Sequence, residues 1–378
     1  MSRTRRMISP LDDSPEEQRF TIYDETMFEK EESTQLRIAR LAGVSQSSVS
    51  MALKGKGSLS KDTRERILEM AKLLEYSPIS PCGKIKKENG LPSTLRFGIS
   101  LPDKVERQNR NSFYSQIING IISEISRSKV EFIPFDIQSD SLKGNFPSVD
   151  GIIFFDSKTL HHLQVSHLTS LPLVSILTRM PFISQVNTDQ KMIVDLAMSY
   201  LHEMGHRKIA FIGEQSHQGR KRFGYFELFF REKSMLLDQD WICFFPKENY
   251  WDQCEMILKK LYASTNRPTA IFAWNDTVAL GILKTALEIG VKIPEDISII
   301  SADGIYETSF SSPPLTTVSL NLEALGSSAV VLLKKFVETS SYRADEVTVE
   351  PRLIIRESVK NLNPKIMGRL IIKGWAGA

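Results

Sequence analysis

A small all-α helix-turn-helix head followed by an α/β body of two doubly wound parallel-sheet lobes is the fold class that this 378-residue sequence predicts. Three observations carry it. Positive charge is concentrated in one short segment near the start. That segment breaks into short helical stretches at glycines and serines. Beyond residue 95, short runs that are apolar throughout recur at roughly 20–35-residue spacing, with amphipathic stretches between them.

Composition sets the outer bounds. With 41% hydrophobic and 25% charged residues the chain is an ordinary globular sequence, long enough for two or three cores. No stretch approaches the ~18 uninterrupted apolar residues of a membrane span. The opening MSRTRRMISPLDDSPEEQRF carries basic residues with no apolar run behind them, so a cytoplasmic, non-exported protein is expected. Cys82, Cys243 and Cys254 are too few and too scattered for a disulfide framework, and none makes a C-x-x-C pair.

The charge is uneven. Residues 1–33 hold five Lys/Arg against nine Asp/Glu, residues 34–90 eleven against five, and the rest 32 against 31. The acidic, Pro- and Ser-containing stretch 1–33 is read as a disordered N-terminal extension. The basic stretch that follows is either a solvated helix face or a surface for a polyanion, and its pattern decides between them.

From Thr34 the chain reads TQLRIARLAGVSQSSVSMALKGKGSLSKDTRERILEMAKLLEYSP. Thr34 caps a helix whose apolar side is Leu36 and Ala39, with Ile38, Leu41 and Ala42. Gly43-Val44 makes a tight turn in which glycine takes a positive φ. Ser45 then caps a second helix, Gln46 to about Leu53, with Val49, Ala52 and Leu53 inward. Two short helices joined by a Gly-containing turn form a helix-turn-helix. After the basic loop Lys54-Gly55-Lys56-Gly57, Ser60 caps a third helix with Ile67, Leu68, Ala71 and Leu74 inward. The second helix is expected in the major groove of double-stranded DNA, with Gln46, Ser47, Ser48 and Met51 at base edges. Lys54, Lys56 and the helix starts at Thr34 and Ser45 are expected at phosphates. A phosphate-binding P-loop is excluded, because Ser50 and Gly57 stand where that motif needs Gly and Ser or Thr.

In the body, RFGIS (96–100), VEFIPF (130–135), DGIIFF (150–155), PLVSIL (172–177), KIAFIG (208–213), WICFFP (241–246), TAIFAW (269–274) and ISIISA (297–302) read as buried parallel strands. YSQIINGIISEI (114–125) and TVALGILKTALEIG (277–290) read as crossover helices, the second ended by Gly290. Two doubly wound lobes follow, with ligands expected at the carboxyl ends of strands and between the lobes.

His202-Glu-Met-Gly-His206 has the H-E-x-x-H form of a zinc protease. Such a site needs both histidines one turn apart on a continuous helix. Gly205 sits where the helix should end and RKIAFIG reads as a strand, so His206 should leave the helix axis. His161, His162 and His167 have no zinc spacing either. No metal or other cofactor is expected.

The head, through Thr34, Ala39, Ala42-Gly43-Val44-Ser45, Val49-Ser50, Leu53, Ser60, Thr63-Arg64 and Tyr76-Ser77-Pro78, closely resembles the DNA-binding head of the lactose-repressor family of bacterial transcription regulators. The resemblance continues through Met204–Gly213, Trp274–Gly281, Ile293–Ser298, Asp303 and Pro313–Val318, and spans residues 34–358. It implies a helix-turn-helix domain at 34–79, a hinge at 80–94, a two-lobed effector-binding and dimerisation domain similar to periplasmic sugar-binding proteins at 95–358, and a tail from 359. It implies a homodimer on a near-palindromic operator, and a hinge residue, Ile85, wedged into the minor groove. It further implies that Phe113, Tyr114, Arg222, Asn275 and Asp303 grip a small effector, a sugar or related metabolite.

The chain departs from the family at several points. Met51 cannot make a bidentate guanine contact. Pro81 and Gly83 interrupt the hinge helix. Lys221 occupies the usual arginine position, so that Arg222 fits with one residue deleted. Thr178 and Gly304 stand where acids are common. The expected function is a ligand-modulated DNA-binding repressor without catalytic activity. The competing reading is a small-molecule carrier or sensor on the same lobes without specific DNA binding, and a metal-dependent hydrolase stands third.

Overall fold

The computed structural model describes residues 38–40, 42–53, 59–73, 94–100, 111–128, 130–135, 148–155, 171–179, 183–245, 250–339 and 344–363. The expectations for the extension 1–33, Thr34, Lys54, Lys56, Pro81, Gly83, Ile85, His161, His162, His167 and the tail beyond 363 lie outside these residues. Residues 1–78 and 79–378 form two compact units.

In the first unit residues 38–40 and 42 are helical, and Gly43, at φ 63°, ends that helix while Val44 N–H donates back to Ala39 O at 2.9 Å. Helix α1 spans Gln46–Leu53 and α2 Lys61–Leu73. Ser45 Oγ accepts from Ser48 N at 3.2 Å, and Ser60 Oγ from Thr63 N at 3.1 Å, so both serines cap the helices the sequence assigns them. Ile38, Ala39, Ala42, Val49, Ala52 and Ile67 form the core, with Val44, Leu59 and Met70 packed against it. Leu68, expected inside, is 46% exposed. Its neighbour Ile67 already faces the core, and successive helical side chains point about 100° apart, so both cannot enter so narrow an interface.

Among the described residues the second unit contains two six-stranded sheets. The first lobe orders its strands β2-β1-β3-β4-β5-β11, all parallel: β1 is Leu95–Ser100, β2 Val130–Phe135, β3 Gly151–Phe154, β4 Leu173–Ile176, β5 Ser184–Thr188 and β11 Glu346–Val349. The second orders them β7-β6-β8-β9-β10-β12: β6 is Ile209–Glu214, β7 Ile242–Phe245, β8 Ala270–Ala273, β9 Ser298–Asp303, β10 Thr316–Ser319 and β12 Arg352–Ile354. Only β12 is antiparallel, pairing with β10. All eight expected strands are present. The other four, β5 (SQVNT), β10 (TTVS), β11 (EVTV) and β12 (RLI), are short or rich in hydroxyl and charged residues, which hides them from an apolar-run search.

Among the described residues the helices of this unit are α3 (Asn111–Arg127), α4 (Gln190–Glu203), α5 (His217–Glu232), α6 (Tyr250–Ala263), α7 (Asp276–Ile289) and α8 (Leu322–Thr339). The chain passes between lobes three times among the described residues, at Thr188–Gln190, Ser319–Leu322 and Val349–Arg352. Asn321, at φ 54°, donates its amide to Glu350 O at 2.5 Å, which ties the second passage to the third. In the first lobe α3 and α8 pack backbone to backbone. A Cβ on Gly326 would lie 2.0 Å from Ile117 O, and one on Gly120 would lie 1.9 Å from Glu323 O. Gly326→Ala should therefore destabilise the body by about 1–3 kcal/mol, read in urea denaturation; an unchanged midpoint would mean that the two helices do not meet this closely.

Candidate effector site and nucleic-acid interface

The carboxyl ends of β8 and β9 collect the second lobe's polar candidates. Arg222 lies in the first half of α5, a helix capped by Ser216, whose Oγ accepts from Gly219 N at 3.1 Å. Its guanidinium donates from Nε and Nη2 to Gln190 Oε1 at 3.2 and 2.9 Å, and from Nη1 to Trp274 O. The guanidinium carbon stands 5.8 Å from the centre of the Trp274 ring. Asp303, the last residue of β9, brings Oδ1 to 3.9 Å from Arg222 Nη1, and both side chains are almost wholly buried, at 3% and 6% exposure. Charges so far from water need compensating partners, and here each helps to compensate the other.

Asn275 caps α7, its Oδ1 accepting from Val278 N at 2.9 Å. The next residue, Asp276, carries no candidate role in the sequence reading but sits at the centre of the cluster. Its Oδ1 accepts from Ser301 Oγ at 2.5 Å and Thr317 Oγ1 at 2.6 Å, and its Oδ2 from Gly304 N at 2.6 Å and Ile305 N at 2.8 Å. Burial and the nearby Asp303 charge push its carboxyl up to about 7, against the pull of those hydrogen bonds.

In the first lobe Phe113 and Tyr114 occupy the first turn of α3 and are buried. Their rings meet edge to face at 5.2 Å, and Tyr114 meets Phe155, at the end of β3, at 5.7 Å. The preceding residue, Ser112, donates to Glu307 Oε2 of the second lobe at 2.5 Å, so the start of α3 adjoins the strand-end turn that follows Asp303. Arg222, Asn275 and Asp303 are thus brought together, and the Ser112–Glu307 bond links that side to the helix start bearing Phe113 and Tyr114. Lys221 is only half-buried in α5, whereas Arg222 is the residue turned into the cluster. Thr178 donates to Phe155 O at 2.7 Å.

Sequence reasoning missed Gln190, Asp276, Ser112 and Glu307. Asp276 was legible only as half of an Asn-Asp pair, since nothing local reveals donors arriving from residues 301–317. A guanidinium, a carboxylate and an indole at strand ends can bind vicinal hydroxyls or a polar ring edge while covering C–H surface.

The H-E-x-x-H stretch divides as its glycine suggests. Helix α4 ends at Glu203, Gly205 takes φ 93°, and His206 leaves the helix. His206 Nδ1 lies 2.9 Å from Thr269 Oγ1 and Nε2 lies 3.0 Å from Lys360 O, so its ring joins the lobe to the segment after β12. Burial lowers its pKa to about 4. Among the described residues no three His, Cys, Asp or Glu side chains gather as metal ligands, and no helix is long and apolar enough to cross a membrane.

In the head, Gln46 and Ser47 are exposed at the start of α1, Ser48 is half-buried and Met51 is 38% exposed. Ser45 Oγ shares hydrogen bonds with Ser47 Oγ at 2.7 Å and Ser48 Oγ at 2.8 Å. A capped helix start with hydroxyls and an amide facing outward suits a phosphate or base edge.

Comparison with known proteins gives the same two parts. Residues 37–78 match the model for bacterial regulatory proteins of the lacI family, and 198–359 that of the periplasmic binding protein-like domain. The chain is 28% identical over 345 residues to the HTH-type transcriptional repressor PurR of Vibrio vulnificus (strain CMCP6), covering 86% of this chain and 98% of that one. It is 29% identical over 350 residues to PurR of Haemophilus influenzae (strain PittEE), with the same coverage. Among solved structures, the transcriptional regulator CelR–cellobiose complex matches with a TM-score of 0.62 at 21% identity, over 86% of this chain and 99% of that one. A LacI family regulator of Enterococcus faecalis V583 with bound ribose matches with a TM-score of 0.59 at 24% identity, over 71% and 100%.

Stability against pH tests two buried titrating groups, Asp276 and His206. Asp276 holds its proton more tightly folded than unfolded, so its contribution is full below about pH 3.8 and is lost as pH rises through about 7. His206 is less basic folded, so its contribution is full above about pH 6.5 and is lost as pH falls through about 4. The two oppose each other between about pH 4 and 6.5. Asp276→Asn should make stability rise more steeply with pH in that window and His206→Gln less steeply; unchanged slopes in urea denaturation would contradict these protonation states.

Proposed function

Because the chain belongs to the lacI family of bacterial regulatory proteins, we propose that it is a repressor whose affinity for a near-palindromic DNA operator is set by a small polyhydroxylated molecule, a sugar or related metabolite, bound between the lobes. The observation that carries this reading is the pairing, in one chain, of an exposed serine-capped helix with a buried Arg222–Asp303 pair at the strand ends of a two-lobed body. Gln46, Ser47, Ser48 and Met51 read base edges, while Ser45 and the helix start hold phosphate. Lys54, Lys56 and the helix start at Thr34 are assigned to phosphates from their places in the helix-turn-helix sequence, and Ile85 to the minor groove by family resemblance alone. Arg222, Asn275 and Asp303 bind the polar side of the effector, and Phe113 and Tyr114 line its apolar side. Relatives described as binding cellobiose or ribose support a sugar as the first class to screen.

One head covers a half-site, so the working form is a homodimer in the cytoplasm. The effector acts by population shift between DNA-competent and DNA-incompetent dimers. The relatives are regulators and the chain is read as having no catalytic activity.

Selection from a random duplex pool at about 150 mM salt, where non-specific phosphate contacts are weakened, is the test. The expected result is a palindrome of two half-sites, with Gln46→Ala relaxing preference at one position of each half by about 1–3 kcal/mol. Met51 at a base-reading position favours the second reading, a carrier or sensor without specific DNA binding. Folded protein that enriches no sequence would support that alternative and overturn the repressor.

A further inference from the structure

We propose that Asp276 is a positioning residue for the effector site: it touches no ligand itself but holds Asp303 in the one backbone conformation that aims its carboxylate at Arg222. The inference rests on the reading of Asp303 as an effector contact. Asp303 is a non-glycine residue at φ 129°, a conformation that an L-residue keeps only when its surroundings enforce it. The enforcement comes from both sides of the peptide. Asp303 O accepts from Leu320 N at 3.1 Å, which ties it to the second inter-lobe passage. The next two amides, Gly304 N and Ile305 N, both donate to Asp276 Oδ2.

Gly304 leaves no slack in this turn. It takes φ 80°, and a Cβ there would lie 2.6 Å from Ser319 Cα. Asp276 is itself fixed, because Ser301 and Thr317 hold its other oxygen from two neighbouring strands. The segment 274–276 therefore grips both halves of the ion pair: Trp274 O receives Arg222, and Asp276 receives the turn that carries Asp303. A carboxyl group with four hydrogen-bond partners and no outlet to water is a rigid tether. A merely structural acid at the first position of a helix would satisfy the helix end and would not couple to Arg222.

The test is a double-mutant cycle on the full chain. Urea midpoints are measured for Arg222→Met, Asp303→Asn and both together, in wild-type, Asp276→Asn and Asp276→Ala backgrounds. The non-additive part of the midpoint shift should survive in Asp276→Asn, whose amide oxygen still accepts the 304–305 amides, and should vanish in Asp276→Ala. Coupling that persists in Asp276→Ala overturns the proposal. If Asp276→Ala does not fold, Ser301→Ala with Thr317→Val frees the carboxylate to leave those amides and should cut the coupling by at least about half; no change overturns it. D-ribose and cellobiose are then titrated by calorimetry. Where the wild-type chain binds either sugar, Asp276→Ala should weaken binding by about ten-fold or more and Asp276→Asn by much less; equal effects would overturn the positioning role. Where neither sugar binds, D-ribose and cellobiose are excluded as effectors and the coupling alone decides Asp276.

Discussion

Arg222 and Asp303 are buried together at the carboxyl edge of the second sheet, where an ion left without its partner would cost on the order of 3–5 kcal/mol. Much of the surrounding architecture follows from meeting that cost. Gln190, the first residue of α4, and the Trp274 carbonyl, just after β8, accept three of the guanidinium's hydrogen bonds. The turn after β9 is pinned so that Asp303 points inward, and the pin is a second buried acid, Asp276. The segments drawn in this way, 188–190, 274–276, 301–305 and 317–320, include two of the three inter-lobe passages. A change in how the pair is shared with a ligand would therefore act where the lobes are joined.

The first lobe meets that region through small, specific contacts. Ser112 reaches Glu307, and Tyr306 OH donates to Glu323 at the start of α8. Helix α8 lies directly on the backbone of α3 through Gly120 and Gly326, so the two helices form one closely packed body. Residues 306 and 307, three and four beyond Asp303, thus touch both helices of that body. This gives a short physical route from the strand-end charges to the first lobe, in which every link is a hydrogen bond or a packed backbone.

Much of this was legible in the sequence, for physical reasons. Runs such as AIFA and SIIS, apolar on both faces, have few homes other than a covered parallel strand, and they fell where expected. Gly43, Gly205 and Gly290 ended helices because each takes a positive φ there. Gly205 also divides the H-E-x-x-H stretch, since the turn it makes carries His206 off the helix. Less visible were elements whose stability is not local. Strand β10, TTVS, is buried because Thr316 accepts from Arg356 N and Thr317 donates to Asp276, partners 40 and 41 residues away. Asp276 was invisible for the same reason: its donors come from residues 301, 304, 305 and 317. Leu68 misled because an apolar residue beside Ile67 looks like core until the helix's facing direction is known.

In the proposed function a small molecule held by the Arg222–Asp303 side of the body changes what the head does on DNA, a coupling between two sites. Its most direct measurement is operator affinity of the full chain at about 150 mM salt, with and without a panel of mono- and disaccharides, for wild type and Asp303→Asn. The expected result is that at least one polyhydroxylated compound shifts wild-type affinity by about 5–150-fold and that this shift disappears in Asp303→Asn. A response that persists in Asp303→Asn would place the effector elsewhere, and a panel without effect on either protein would contradict regulation by a sugar.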